Sequence, residues 1–141
     1  MEEKVNALYH ETILEHNRAP RFFEKRPEAS HVVEAYNPVC GDKFRLYLDV
    51  EAGKVVRATF HGYGCAVSKA SASVLMTRIQ GMELEELRVE VAAFFGAILP
   101  EEGVEVVALD AEIAAFLPVR DFPGRLKCAT LAWEALRAFM A

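Results

Sequence analysis

Residues 44–60 carry two runs of period two on either side of a short turn. Phe44, Leu46, Leu48 and Val50 alternate with Arg45, Tyr47 and Asp49. Successive strand side chains point to opposite faces, so this pattern predicts a strand with one buried face. Glu51-Ala52-Gly53-Lys54 reads as a turn. Val55 to His61 returns as a further strand, with Val56, Ala58 and Phe60 expected on one face. A connection this short permits only antiparallel pairing. His31 to Tyr36 contains the β-formers Val32, Val33 and Tyr36 and adds a preceding strand, so an antiparallel meander is the simplest arrangement.

The periodicity elsewhere is helical. Val5, Leu8, Tyr9, Thr12, Ile13 and His16 form an N-terminal stripe with the three- and four-residue spacing of an amphipathic helix. Pro20 and Pro27 bracket a charged surface connection, Arg21 to Glu28. From Cys65 onward, Val67, Ala70, Ser71, Val74, Leu75 and Arg78 predict a helix stopped by Gly81. Its small run Ala70-Ser71-Ala72-Ser73 lets another element pack closely. Leu84, Leu87, Val91, Phe94, Phe95 and Ile98 predict a helix ending near Pro100. A short Val-rich piece is expected within residues 101–109, and Asp110 is placed to cap a short helix through Phe116. Pro118 and Pro123 are expected to break the chain before a final helix opened by Cys128, whose inner face carries Ala129, Ala132, Trp133, Leu136, Phe139 and Met140. The expected fold class is α+β, a three-stranded antiparallel sheet packed with about five helices. With no linker or repeat visible, residues 1–141 are expected to form a single domain.

Composition narrows the function classes. The 141 residues carry a formal net charge of −5, and no basic block is present to neutralise phosphates, so nucleic-acid binding is not expected. No apolar run approaches the roughly 18 residues that argue for a membrane span. The start, Met1-Glu2-Glu3-Lys4, lacks the pattern of a signal peptide. A cytoplasmic location is therefore expected, where thiols stay reduced. Three cysteines in that setting suggest metal binding, sulfur chemistry or packing, not a disulfide framework.

Each cysteine sits at a junction between elements. Cys40 lies in Asn37-Pro38-Val39-Cys40-Gly41-Asp42, Cys65 follows Gly62-Tyr63-Gly64, and Cys128 follows Phe122-Pro123-Gly124-Arg125-Leu126-Lys127. The intervals match no finger or ribbon spacing, so any shared site is assembled by the fold. Cys65 and Cys128 are each expected at a helix N-terminus, where free N–H groups and the dipole favour thiolate. Arg125 and Lys127 add positive charge beside Cys128. Asp42 offers an anionic oxygen two residues after Cys40, although Asp is also an ordinary turn residue. Three thiolates and one carboxylate complete a tetrahedral shell for zinc, or hold an iron cluster less tightly than four thiolates. Taken singly, a cytosolic cysteine is more often a small buried hydrophobe. His10, His16, His31 and His61 read as ordinary surface or packing residues, and the Glu83-Glu85-Glu86 run as a solvated first helical turn.

At these residues the sequence resembles the IscU/SufU family of iron–sulfur assembly proteins. The matching stretches are Asn37 to Asp42, Gly62 to Ser73 and Arg125 to Trp133, together with Leu8-Tyr9-His10 and His16 to Arg21. Three traits lean toward the SufU branch. Lys127 stands where the IscU branch has a His; Leu117-Pro118-Val119-Arg120 replaces that branch's chaperone-docking motif; and the stretch between the second and third cysteines, near residues 96–120, is longer. The resemblance implies zinc held by Cys40, Asp42, Cys65 and Cys128. It further implies a SufS-like cysteine desulfurase as sulfur donor, Cys40 as persulfide acceptor, Arg125 as its helper, and a downstream scaffold or apo-protein as recipient. On this implication the chain is a sulfurtransferase-like partner, not a stand-alone enzyme.

Two other readings use the same residues. A scaffold would hold a [2Fe–2S] cluster on Cys40, Cys65 and Cys128, with Asp42 as a labile ligand. A structural zinc protein would use the metal only to staple the fold.

Overall fold

The computed structural model describes residues 10–99 and 110–141. In chain order these form α1 (Glu11–Arg18), β1 (His31–Asn37), β2 (Asp42–Glu51), β3 (Lys54–Tyr63), α2 (Ala66–Ile79), α3 (Leu84–Ile98), α4 (Ala111–Ala114), a 3₁₀ turn (Leu117–Asp121) and α5 (Pro123–Met140). The Val5–Tyr9 part of the first stripe and the Val-rich piece of residues 101–109 lie outside the described residues.

The sheet is the expected antiparallel meander, β1-β2-β3. The turn between β2 and β3 is two residues long, with Ala52 at φ 50° and Gly53 at φ 76°, the double left-handed backbone that matches strand twist. Leu46 pairs with Phe60 and Leu48 with Ala58, and all four are fully buried on the core face. One detail departs from simple alternation. The register shifts at Asp49/Val50, where Asp49 pairs with Arg57 but Val50 with Val55. Val56 is thus an extra residue, so Val55 is fully buried and Val56 faces out, the reverse of the sequence expectation.

The far edge of β3 is covered. Phe60 N–H donates to Phe22 O at 3.0 Å and Glu24 N–H to Phe60 O at 2.9 Å. Further along, Gly81 N–H donates to Val55 O at 2.7 Å, and the Gln80 side chain takes up Ala58 N–H and O at 2.9 and 2.5 Å. An edge satisfied in this way offers no template for strand addition. The stretch read as a surface connection therefore contributes backbone pairing to the sheet.

α2 lies at the centre, packed against α1, β3 and α5, while α5 also covers β1 and α3. Its small run is buried throughout, Ala70 to Ser73, which is what lets α5 approach. Buried serines need partners, and Ser71 has two. Its hydroxyl donates to Ala129 O at 2.5 Å and accepts from the Trp133 indole N–H at 3.0 Å. Trp133 stacks flat on Phe94, with centroids 3.9 Å apart and planes 3° apart, an aromatic pair contributing about 0.5–1.5 kcal/mol beyond area burial. Asp110 caps α4 as expected, its Oδ1 accepting Ile113 N–H at 3.0 Å. Glu83 and Glu86 form a capping box at the start of α3, so that acidic turn has a specific role. Among the described residues no helix is long and apolar enough to cross a membrane.

Candidate metal centre

Cys40 sits in the turn joining β1 to β2. Asn37 shapes this turn: its Oδ1 accepts Val39 N–H at 3.2 Å and its carbonyl accepts Gly41 N–H at 2.9 Å. The Cys40 thiol is left exposed. Asp42, the first residue of β2, turns inward and is only 1% exposed. Its Oδ1 accepts the Cys65 N–H at 3.0 Å, tying the head of β2 to the junction between β3 and α2. Its Oδ2 is buried with no hydrogen-bond partner.

That junction closes tightly because residue 64 has no side chain. A Cβ at Gly64 would lie 2.8 Å from Phe44 Cζ and 2.9 Å from Asp42 Oδ1, and closer still to Ser68 Oγ. Cys65 then caps α2, its half-buried sulfur accepting Ser68 N–H at 3.5 Å. The expectation of a helix N-terminus holds for this cysteine.

It does not hold for Cys128. α5 begins at Pro123, because proline's fixed φ and missing N–H suit the first helical position. The residue read as a breaker is the starter. Cys128 therefore lies in the second turn, fully buried, with its sulfur 3.5 Å from Gly124 O and 3.8 Å from Cys40 Sγ. Arg125, in the first turn of α5, lines a shallow depression shared with Cys40, Asp121 and Phe122. Lys127 is exposed.

The fold thus brings ligand atoms of Cys40, Asp42 and Cys128 within 4.8 Å of one another. Cys65 is not in that set; it joins through its N–H to Asp42 and through the Cys128 thiol. The thiols share protons unequally. Hydrogen bonding from Cys128, supplemented by the Ser68 N–H and against the opposing effects of burial and Asp42, pulls the Cys65 pKa down to about 5. Cys128 moves the opposite way, because Cys65 engages its proton, burial disfavours its anion and Asp42 lies beside it. A cation among these groups would take the place of a thiol proton and meet the orphaned Oδ2, whose burial without a partner is otherwise costly. The Cys40 and Cys128 sulfurs and an Asp42 oxygen are donor types suited to zinc.

The NifU-like N terminal domain family matches residues 8–138. The chain belongs to this family. It is 35% identical over 137 residues to the zinc-dependent sulfurtransferase SufU of Bacillus subtilis, covering 97% of this chain and 92% of the relative. It is also 37% identical over 134 residues to the iron–sulfur cluster assembly scaffold protein IscU of Thermotoga maritima, covering 92% of this chain and 90% of that one. Among solved structures, a scaffold protein for the SUF system from Fervidobacterium islandicum superimposes with a TM-score of 0.82 at 31% identity, covering 95% and 97% of the two chains. Membership in this IscU/SufU/NifU group agrees with the resemblance and with the α+β architecture.

His16, expected on the N-terminal stripe as a surface or packing residue, is buried, with Nδ1 2.7 Å from Ser73 Oγ and Nε2 3.2 Å from Glu112 Oε2. Both partners are distant in sequence, so no local signal could have found them.

Proposed function

We propose that this chain accepts sulfur from a cysteine desulfurase in iron–sulfur cluster assembly, with Cys40 as the acceptor and zinc held by Cys40, Asp42, Cys65 and Cys128. The observation that carries the acceptor assignment is exposure. Of the three thiols only Cys40 is exposed; Cys65 is half-buried and Cys128 is buried. A donor persulfide arriving from outside meets Cys40 first. Support for the metal comes from the donor set, from the unpartnered Asp42 Oδ2 and from the likeness to a zinc-dependent relative.

Zinc, when bound, keeps the thiols deprotonated and masks them, since metal affinity selects thiolate. The transfer itself is a thiol–disulfide type exchange. Cys40 thiolate attacks the terminal sulfur of the donor persulfide and forms a new S–S bond. The bond between the two donor sulfurs breaks, and the donor cysteine leaves as thiolate. Cys40 is left as a persulfide, with no net redox change. Arg125, lining the same depression as Cys40, is placed to stabilise the incoming anionic sulfur through charge-assisted hydrogen bonds. A scaffold or apo-protein downstream then takes the sulfur.

In the zinc-loaded protein, Cys40→Ser is expected to abolish both persulfide loading and stimulation of a cognate desulfurase, read by mass spectrometry and sulfide release. Loading at the normal rate would remove Cys40 as the acceptor. The likeness to a scaffold relative at similar identity supports a second reading, in which the same residues hold a [2Fe–2S] cluster. A brown preparation with visible absorbance favours that reading; a colourless one with about one zinc per chain, as for a single four-ligand site, fits transfer or a structural zinc, and desulfurase stimulation separates those two.

A further inference from the structure

A second chemistry-bearing cluster lies on the outer face of the sheet. The segment after α1 leaves the edge of β3 at Glu24, then crosses that face so that Arg26 Nη1 reaches Asp49 Oδ2 at 2.5 Å. Between this segment and the strands is a depression of about 340 Å³ lined by Lys25, Lys43, Arg45, Tyr47, His61 and Tyr63. Three cationic side chains and an imidazole thus converge on one concavity in a chain whose net charge is −5.

Countercharge there is incomplete. Glu34 approaches Arg45 at 3.5 Å. The nearby acids Glu24 and Asp49 are engaged by Arg57 at 2.8 Å and by Arg26. Among the described residues no carboxylate pairs with Lys25 or Lys43; the ammonium of Lys43 instead sits 5.9 Å from the Tyr36 ring. His61 stacks on Phe23 with centroids 4.4 Å apart. Its pKa is pushed down, first by burial and then by the nearby Lys25 and Lys69.

We propose that this depression binds a small phosphate-bearing anion carrying two or more negative charges. A concave cationic site with low-dielectric walls concentrates the field on its occupant. Its volume lies at the low end of small-molecule sites, typically about 300–1,000 Å³. Two lysines with no carboxylate partner among the described residues match a dianion, whereas a single carboxylate would neutralise only one. Lysines suit phosphate as point charges, and the exposed Tyr63 hydroxyl supplies a further donor at the rim. Lys43 adjoins Asp42 in sequence but points to the opposite face from the core-facing strand residues, so the anion site is separate from the cysteine cluster.

The test titrates tripolyphosphate and ATP separately into the zinc-loaded protein at low ionic strength, followed by calorimetry and amide chemical shifts. Saturable binding is expected, with the largest shifts at Lys25, Lys43 to Tyr47 and His61 to Tyr63, weakening as salt is added. Lys25→Glu with Lys43→Glu should lower affinity by at least about tenfold with circular dichroism unchanged; Lys25→Gln and Lys43→Gln singly serve if the double variant does not fold. Equal affinity for the two ligands assigns the site to phosphate alone. Tighter ATP binding that Tyr63→Ala removes adds a stacked base. Both ligands also sequester zinc, so equal signals from the wild type and the lysine variants would mean metal stripping and would overturn the proposal. Absence of saturation would overturn it as well.

Discussion

Asp42 does two jobs with its two oxygens. Oδ1 accepts the Cys65 N–H and so holds the β3–α2 junction against the head of β2. Oδ2 is buried without a partner, and a buried carboxylate left uncompensated destabilises the chain that carries it. Asp42→Asn keeps an acceptor for Cys65 but removes the charge. The metal-free variant is therefore expected to melt above the metal-free parent, while zinc affinity falls by more than the roughly 10- to 100-fold that loss of a ligand's outer-shell partner costs. Thermal melts in chelator and a competition titration check the two halves. A variant that melts lower without metal would show the carboxylate to be compensated already. The residue motifs around Cys40, Asp42 and Cys65 were legible because a turn, a strand start and a helix cap are each written locally. Gly64 belongs with them, since only a residue without Cβ lets Asp42 and Ser68 come so close.

At the scale of elements, the polar joint holding α1 to α2 and α4 is His16. Arg21 N–H donates to Ser73 Oγ at 2.8 Å. The Ser73 hydroxyl is then free to donate to His16 Nδ1, and Nε2–H to donate to Glu112. Every bond in this relay is satisfied with the imidazole neutral. Protonated, Nδ1 would become a second donor to Ser73 and the hydroxyl proton would lose its acceptor. Burial first, then Arg21, push the His16 pKa below the ordinary 6.5, outweighing Glu112 and Glu15. A group whose folded pKa is depressed contributes stability that is full above the unfolded value and is lost as pH falls toward the folded one. The urea midpoint is thus expected to drop as pH is lowered from about 6.5, and the drop to be smaller in His16→Gln. Equal slopes in the two proteins would remove His16 as the cause. The element boundary that the sequence misplaced, the start of α5, has a similar origin. Proline ends one helix and opens another with equal ease, and only the packing of α5 against α2 shows which.

For the molecule as a whole, zinc held as proposed by Cys40, Asp42, Cys65 and Cys128 would join parts that are otherwise held by separate contacts: the β1–β2 turn, the β3–α2 junction and α5. A ligand that binds only the folded arrangement stabilises it by mass action, by about 2.7 kcal/mol when free zinc exceeds Kd roughly 100-fold. Removing zinc with a chelator is expected to lower the melting temperature, and re-adding it to restore the original value. Asp42→Asn should show a much smaller difference between the two states. A melting temperature indifferent to zinc would place the metal outside the folded structure.

The sequence by itself determined the meander, the central helix with its small-residue face, the capped helix at Asp110 and the junctions at Cys40 and Cys65. These are readable because side-chain period, turn chemistry and caps act over a few residues. The tertiary structure alone decided that Val55 and not Val56 faces the core, that Cys128 lies within a helix, and which distant partners His16 meets. It also decided which thiol is left exposed. Burial and proton sharing depend on which elements meet, and Cys40 and Cys128, whose sulfurs lie side by side, are 88 positions apart in the chain.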